Sequence, residues 1–169
     1  MGSAEDGRAY LAHLEKINTV YYDQIKIADQ KAAFIFTFML AFLVSSAEGS
    51  SVFKIERYHT GSWALVVLSA ILAIAVAFSL VNAILVVLPR HRVKASSLYW
   101  GAWPANRGAF IFAHDGRDPD YLFQEYLNNV DHLAAINRSK YGHVGHAFRG
   151  LIIAVLAYLM ILIVGSAGV

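Results

Sequence analysis

"YYDQIKIADQKAAFIFTFMLAFLVSS", residues 21–46, joins a charged stretch to an apolar one without a break. Its first half carries Asp23, Lys26, Asp29 and Lys31, and its second half carries no charge. No proline or glycine separates the two halves, so no helix-breaking residue interrupts a helix between them. The stretch therefore predicts one continuous helix that begins in water and enters a membrane.

Three uncharged blocks dominate the chain, which has 169 residues and is 57% hydrophobic. A soluble domain is usually about 45–50% apolar. The blocks cover residues 32–47, 63–88 and 150–169. A membrane-crossing helix needs about 17–25 residues, and the shorter first block is extended by Ala28 and the aliphatic stem of Lys31. Three core helices of a soluble protein would need a much larger polar shell, so we predict an all-α membrane protein with three transmembrane helices.

The distribution of lysine and arginine predicts the orientation in the membrane. Of the 14 basic residues, 12 lie before the first block or between the second and third, and two lie between the first and second. The cytosolic side carries the excess, so we expect the N-terminus inside and the C-terminus outside. A net charge of +2 does not indicate nucleic-acid binding, and we expect the lipid bilayer as a partner.

Two of the uncharged blocks are preceded by a seam, by which we mean residues that recur on one face of a helix. Residues recur at steps of three and four before the first block, namely Leu11, Leu14, Asn18, Tyr21, Ile25, Ala28 and Ala32. A similar seam precedes the third block, namely Phe123, Tyr126, Val130, Leu133, Asn137, Tyr141, Val144 and Phe148. Asp118 and Pro119 have the sequence of an N-cap followed by the first helical residue. We therefore expect the first and third spans to extend into the cytosol as amphipathic helices, the first about 40 residues and 60 Å long.

We interpret residues 1–169 as one membrane domain with six segments. These are a cytosolic helix at 7–31, span one at 32–47, span two at 63–88, a cytosolic insert at 89–117, a cytosolic helix at 118–148 and span three at 149–166. In the insert, aromatic residues flank the turn-like "WPANRG" at 103–108. This pattern predicts a small β-hairpin.

The two cytosolic helices are expected to pack side by side. Asn18 and Asn137 occupy seam positions about 20 Å before their membrane entry points, so we predict that they lie at a similar height. Counting residues from the membrane entry points in the same way places Asp29 and Lys31 at the depth of Arg149. It predicts an ion pair between Asp29 and Arg149. A contact of Asp29 with a neighbouring lysine of its own helix is the alternative. Two further residues, Lys140 and Tyr141, belong to the same predicted boundary layer.

Two segments resemble paired signatures of a known family. "ADQKAAFIF" at 28–36 and "AAINRSKYGHVGHAFRGL" at 134–151 are similar to those of the PycTM family, the transmembrane effectors of the Pycsar pyrimidine-cyclase antiphage system. The resemblance implies a protein of the bacterial inner membrane. It also implies that a partner cyclase supplies cCMP or cUMP as the trigger, and that the effector then compromises the membrane in abortive infection. Three helices are too few to enclose a pore, so we expect a homo-oligomer.

Direct nucleotide binding requires cations for the phosphate and flat surfaces for the base. The insert supplies both types, and our candidate ligand-binding residues are Arg90, Arg92, Tyr99, Trp100, Arg107 and Arg117. The alternative is a positive-inside cluster with an interfacial aromatic belt. A related system with a different trigger is also compatible with the sequence.

The sequence contains no converging catalytic set, so we do not expect an enzyme. It has no cysteine, which excludes thiolate metal ligands, and His143 with His146 lacks the rest of a metal-ligand pattern, so we expect no metal. Within span two, Asn82, Ser69 and Ser79 are expected to mediate helix contacts.

The remaining alternatives for the function are a structural or adaptor membrane protein that docks a cytosolic partner, or a small oligomeric channel.

Overall fold

A computed structural model describes residues 2–60, 62–89, 96–98 and 101–167. Within these ranges the chain forms six helices and no strand, which confirms the all-α prediction. The helices are α1 at Gly2–Ser45, α2 at Ala47–Ser51, α3 at Arg57–Thr60, α4 at Trp63–Val87, α5 at Trp103–Gly116 and α6 at Pro119–Ala167.

Three of these helices are long and apolar enough to cross a membrane, as predicted. The qualifying stretches are Gly7–Ser45 of α1, Trp63–Val87 of α4 and Asp120–Ser166 of α6. Many of their large apolar side chains are exposed, among them Phe34, Val44 and Ile163. Such a surface would be unfavourable in water and suits contact with lipid. The chain is therefore a multi-pass membrane protein.

The predicted β-hairpin in the insert is wrong, because α5 occupies that stretch. "WPANRG" contains Pro104, which lies in the first turn of α5, where a missing backbone N–H removes no helical hydrogen bond. The Asn106 side chain donates to the carbonyl of Ala102 at 3.0 Å and supports the same turn. Proline therefore begins a helix here instead of marking a hairpin turn.

The described chain divides into two compact units. Unit 1 contains Met1–Ile27 and Pro89–Ser139, and unit 2 contains Ala28–Leu88 and Lys140–Val169. Helices α1 and α6 each contribute residues to both units. In unit 1, α6 begins as the sequence predicted: Asp118 Oδ1 accepts a hydrogen bond from the N–H of Asp120 at 3.0 Å, and Pro119 is the first helical residue.

The core of unit 2 is formed by three helices. Its buried apolar residues are Ala28, Ala32, Ile35 and Met39 of α1, Leu72, Ala75, Val76, Ala83 and Val86 of α4, and Val144, Ala147, Ala154, Ala157 and Ile161 of α6. Many of these side chains are small, which allows helices to approach closely in lipid. The sequence seam placed Phe148 inward, but Phe148 is exposed and Ala147 is buried.

Gly150 marks a close approach of α6 to α4. A Cβ atom there would lie 2.9 Å from Ser79 Cβ and 3.0 Å from the carbonyl oxygen of Ala75. Ser79 Oγ donates to the carbonyl of Ala147 at 2.8 Å, so the same contact is also hydrogen-bonded. The predicted role of Ser79 in helix contacts is confirmed.

Replacing Gly150 with alanine should destabilise unit 2 by about 1–3 kcal/mol, because the new methyl group meets backbone of α4 that cannot rotate away. The measurement is an unfolding titration in detergent micelles. Gly145→Ala is the matched control, since a Cβ atom at Gly145 has nothing within 4 Å. This control should be neutral or stabilising by about 0.5–1 kcal/mol, and equal stability of the two variants would contradict the close packing of α4 and α6.

Candidate functional site

An ion pair in unit 2 joins the two segments that carry the signature sequences. Lys140 Nζ of α6 donates a hydrogen bond to Asp29 Oδ1 of α1. The Lys140 side chain is 9% exposed and that of Asp29 is 36% exposed. Next to this pair, Lys31 Nζ lies 5.5 Å from the centre of the Tyr141 ring, within range of a cation–π contact. These four residues form what we call the boundary layer.

The predicted ion pair between Asp29 and Arg149 is wrong, because Lys140 takes that place and Arg149 is exposed. Lys140 precedes Arg149 by nine residues, about 13 Å along a helix. The sequence estimate assumed that the last charged residue of each helix marks the same depth. A long arginine side chain can reach toward water from a deeper backbone position, so Arg149 is a poor depth marker.

A second polar contact in unit 2 joins α6 to α4. His143 Nδ1 lies 3.0 Å from Asn82 Oδ1, and Asn82 Nδ2 donates to the carbonyl of Phe78 at 2.9 Å. With its amide nitrogen engaged in that way, Asn82 offers Oδ1 as an acceptor, so we assign the proton to His143 Nδ1. The predicted helix-contact role of Asn82 is confirmed. Among the described residues, no group of three or more histidines and carboxylates could hold a metal ion.

Unit 1 contains a buried polar network that the sequence did not reveal. Its centre is Asn129 of α6, which is 3% exposed. Asn129 Nδ2 donates to Asn18 Oδ1 of α1, and Asn129 Oδ1 accepts from Ser96 Oγ at 3.1 Å. The N–H of Ser97 donates to Glu125 Oε2 at 2.5 Å. These bonds hold Ser96 and Ser97 against α6.

Asn18 and Asn137 each bond to the facing helix, and Tyr21, the partner of Asn137, lies three residues, about 4.5 Å, from Asn18. Asn18 bonds to Asn129, whereas Asn137 Nδ2 donates to the carbonyl of Tyr21 at 3.0 Å. Asn129 and Asn137 are eight residues apart, about 12 Å along α6. Asn137 Oδ1 is buried and has no hydrogen-bond partner among the described residues. An unsatisfied acceptor of this kind is unusual and marks a place where a ligand donor would be favourable.

The grouping of the six candidate ligand-binding residues stays a prediction. Arg90, Arg92, Tyr99 and Trp100 lie outside the described residues. Arg107 and Arg117 are exposed and ten residues apart on α5 and its cap, about 15 Å along the helix.

Aromatic rings connect α5 to α6 in unit 1. Phe110 packs at 5.5 Å from Trp103 and 6.3 Å from Tyr121, measured between ring centres. Nearby on α6, burial and then the carboxylate of Glu15 raise the pKa of Tyr126, which keeps its hydroxyl protonated. Unit 1 thus offers ring faces and neutral polar groups.

Arg117 has an unusual backbone conformation that bears on its role. It is the one non-glycine residue with positive φ in the described chain, at φ 53° and ψ 44°. Its N–H bonds to the carbonyl of His114 at 3.1 Å, and the N–H of Asp118 bonds to that of Ala113 at 2.9 Å. This is a Schellman cap, in which glycine usually takes the left-handed position.

The family described as Pycsar effector protein domain, PycTM, matches residues 13–166. The match includes both signature segments and every residue of the boundary layer. Comparisons with curated proteins and with solved structures found no match.

We expect unequal losses of stability when the charge of Asp29 or that of Lys140 is removed from the boundary layer. Asp29→Asn leaves a nearly buried ammonium without its counter-ion and should cost about 1–3 kcal/mol of unfolding free energy. Lys140→Met leaves a carboxylate that water can reach and should cost about 0–1 kcal/mol. A double-mutant cycle in detergent micelles measures both, and the double variant should be more stable than Asp29→Asn. Equal single effects that simply add would refute the coupling.

Arg117→Gly should stabilise unit 1 by about 1 kcal/mol, because glycine adopts the left-handed cap without a steric penalty. Arg117→Ala is the control, since it removes the guanidinium group and keeps the penalty. Thermal melts of the helical circular dichroism signal compare the two. A lower melting temperature for Arg117→Gly than for the wild type would show that the arginine side chain supports the cap.

Proposed function

The chain belongs to the Pycsar effector family, which gives it an effector role in antiphage defence, and we propose that a cyclic pyrimidine nucleotide triggers it to compromise the inner membrane. The expected ligand is cCMP or cUMP from a partner cyclase. We propose that this chain lies in the membrane with a cytosolic N-terminus and an external C-terminus. The count of 12 basic residues against two supports this orientation.

The observation that carries the proposal is the boundary layer. Asp29 and Lys140 lie on α1 and α6, the two helices that contribute to both units. Each is within the first two residues of its segment of unit 2. A change in unit 1 that rotates or shifts either helix would therefore act on this ion pair before it acts on the rest of the spans.

Unit 1 is our proposed location for the nucleotide. The buried Asn137 Oδ1 is a free acceptor for a base N–H, and the rings of Trp103 and Phe110 offer stacking surfaces. Arg107 and Arg117 are exposed and available to a phosphate. In this account the nucleotide contributes binding energy only, and the protein is an effector without enzyme activity.

Triggering is a population shift between two arrangements of the spans. The nucleotide must bind one arrangement more tightly than the other, since equal affinity for both would change nothing. A pore or membrane lesion requires several copies, so the active arrangement is proposed to be a homo-oligomer. The exposed apolar surfaces of α1, α4 and α6 supply the area for contacts between copies.

An adaptor role is the second candidate, and one observation favours it. Helix α5 exposes Phe112 at 82% and Trp103 at 41%, a surface that suits a protein partner. An adaptor would not change the ion permeability of the membrane by itself. The two functions therefore differ in a direct measurement of membrane potential.

The test is membrane potential in cells that produce the chain together with an active pyrimidine cyclase. We expect depolarisation and growth arrest with the active cyclase and neither with a catalytically inactive cyclase. Lys140→Asp places two carboxylates together and should abolish the response, and the charge-swapped Asp29→Lys/Lys140→Asp variant should restore part of it.

Binding of cCMP and cUMP to the purified protein is measured in parallel with the membrane potential. Depolarisation without binding would assign the trigger to another molecule. Neither binding nor depolarisation in the wild type would refute the proposal and leave the adaptor role.

A further inference from the structure

Arg57 lies between α1 and α4, and its side chain contacts residues on both sides of it in the sequence. Arg57 Nε donates to Ser69 Oγ at 2.7 Å, and Nη1 donates to Ser51 Oγ at 2.5 Å. Ser69 is fully buried in α4 and the Arg57 side chain is 19% exposed. The guanidinium group is therefore fixed in position, which is the preorganisation that a binding site for an anion needs.

Arg57 and its neighbour Glu48 both retain bonding capacity. The two N–H groups of Nη2 have no hydrogen-bond partner among the described residues. Glu48 Oε2 lies 2.5 Å from Arg57 Nη1 as an ion pair, yet this buried oxygen accepts no hydrogen bond within the described chain. The Nη2 donor pair, next to a carboxylate whose side chain is 42% exposed, is complementary to a molecule that carries an anion and a cationic donor.

Both side chains line an open cleft in unit 2. The cleft has a volume of about 390 Å³ and is walled by Leu65 of α4 and by Ile161, Leu162 and Gly165 of α6. These residues lie at one end of their spans, because α4 begins at Trp63 and α6 ends at Ala167. One end of the cleft is thus charged and its walls are apolar.

The ends of the spans place this cleft at the level of lipid headgroups. Trp63 is 80% exposed at the start of α4, and Phe53 and Ile55 of the preceding loop are also exposed. Exposed aromatic and aliphatic side chains at a span end are typical of the membrane–water interface. The molecules with the highest local concentration at this depth are phospholipids.

We propose that the cleft binds the phosphoethanolamine headgroup of a membrane phospholipid. The phosphate accepts hydrogen bonds from Arg57 Nη2, the ammonium group donates to Glu48, and the acyl chains lie against Leu65, Ile161 and Leu162. This site differs from the nucleotide site proposed in unit 1 and does not depend on it.

The proposed contacts predict selectivity among headgroups. A phosphoglycerol headgroup has the phosphate but no ammonium group for Glu48. A phosphocholine headgroup has a cation, but its quaternary nitrogen carries no N–H donor. Phosphoethanolamine alone satisfies both side chains, so it should be retained most strongly.

Native mass spectrometry of the full chain tests this with equal concentrations of phosphatidylethanolamine, phosphatidylglycerol and phosphatidylcholine that have the same acyl chains. The wild type should retain phosphatidylethanolamine about threefold to fivefold over the other two, the ratio that one partly exposed ion pair supplies. Glu48→Gln should remove the preference over phosphatidylglycerol. The matched control is Lys54→Gln, an exposed basic residue of the same loop, which should keep the wild-type ratio.

Equal retention of the three lipids by the wild type, or a wild-type preference in a folded Glu48→Gln variant, would overturn the proposal. Arg57→Gln should lower retention of all three lipids, and its helical circular dichroism spectrum shows whether it has folded. Water-soluble glycerophosphoethanolamine should fail to displace the bound lipid at the same concentration. Displacement by this molecule would show that the apolar walls do not contribute and would exclude a lipid-specific site.

Discussion

Lys140 carries a charge on a side chain that is 9% exposed, and the carboxylate of Asp29 compensates it. Removing an ammonium group from water costs several kcal/mol unless a counter-ion is held close, so this pair fixes which part of α6 lies beside α1 in unit 2. Around it, Ala28, Ala32 and Ala147 are buried and small enough for close packing of the helices. The His143–Asn82 contact then connects α6 to α4. The arrangement of the three spans in unit 2 depends on this polar layer.

The sequence was sufficient for the features that depend on local pattern. Three uncharged blocks gave the spans, and Asp118 with Pro119 gave the start of α6. The side-chain partners between helices were not predictable in the same way. Residues repeated at steps of three and four define one face of a helix, but they do not define the position of that helix along its neighbour. Asp29 and Lys140 are 111 residues apart, whereas the expected partners Asp29 and Arg149 are 120 apart, and the bond between Asn18 and Asn129 was not expected. In α5, Pro104 is compatible with a turn and with a first helical turn, and the hydrogen bonds of the helix decide between them.

The polar groups of the two units suit different tasks. Unit 1 holds a buried network around Asn129 and an unsatisfied amide oxygen at Asn137, features that favour recognition of a small polar ligand. Unit 2 combines lipid-exposed spans with the boundary layer, and near the ends of its spans it holds Arg57 beside Glu48. The chain belongs to the Pycsar effector family, and our proposal assigns sensing of the nucleotide to unit 1 and the response to unit 2. The continuous helices α1 and α6 are the physical link that this account requires.

Electron paramagnetic resonance distance measurements test most directly whether nucleotide binding changes the arrangement of the spans. The chain has no cysteine, so spin labels attach only where cysteine is introduced, for example at the exposed Val44 of α1 and Ile163 of α6. In lipid nanodiscs, cCMP or cUMP should shift the population between two label distances, and the shift should be lost in Lys140→Asp. An unchanged distance distribution in protein that has bound the nucleotide would contradict the account.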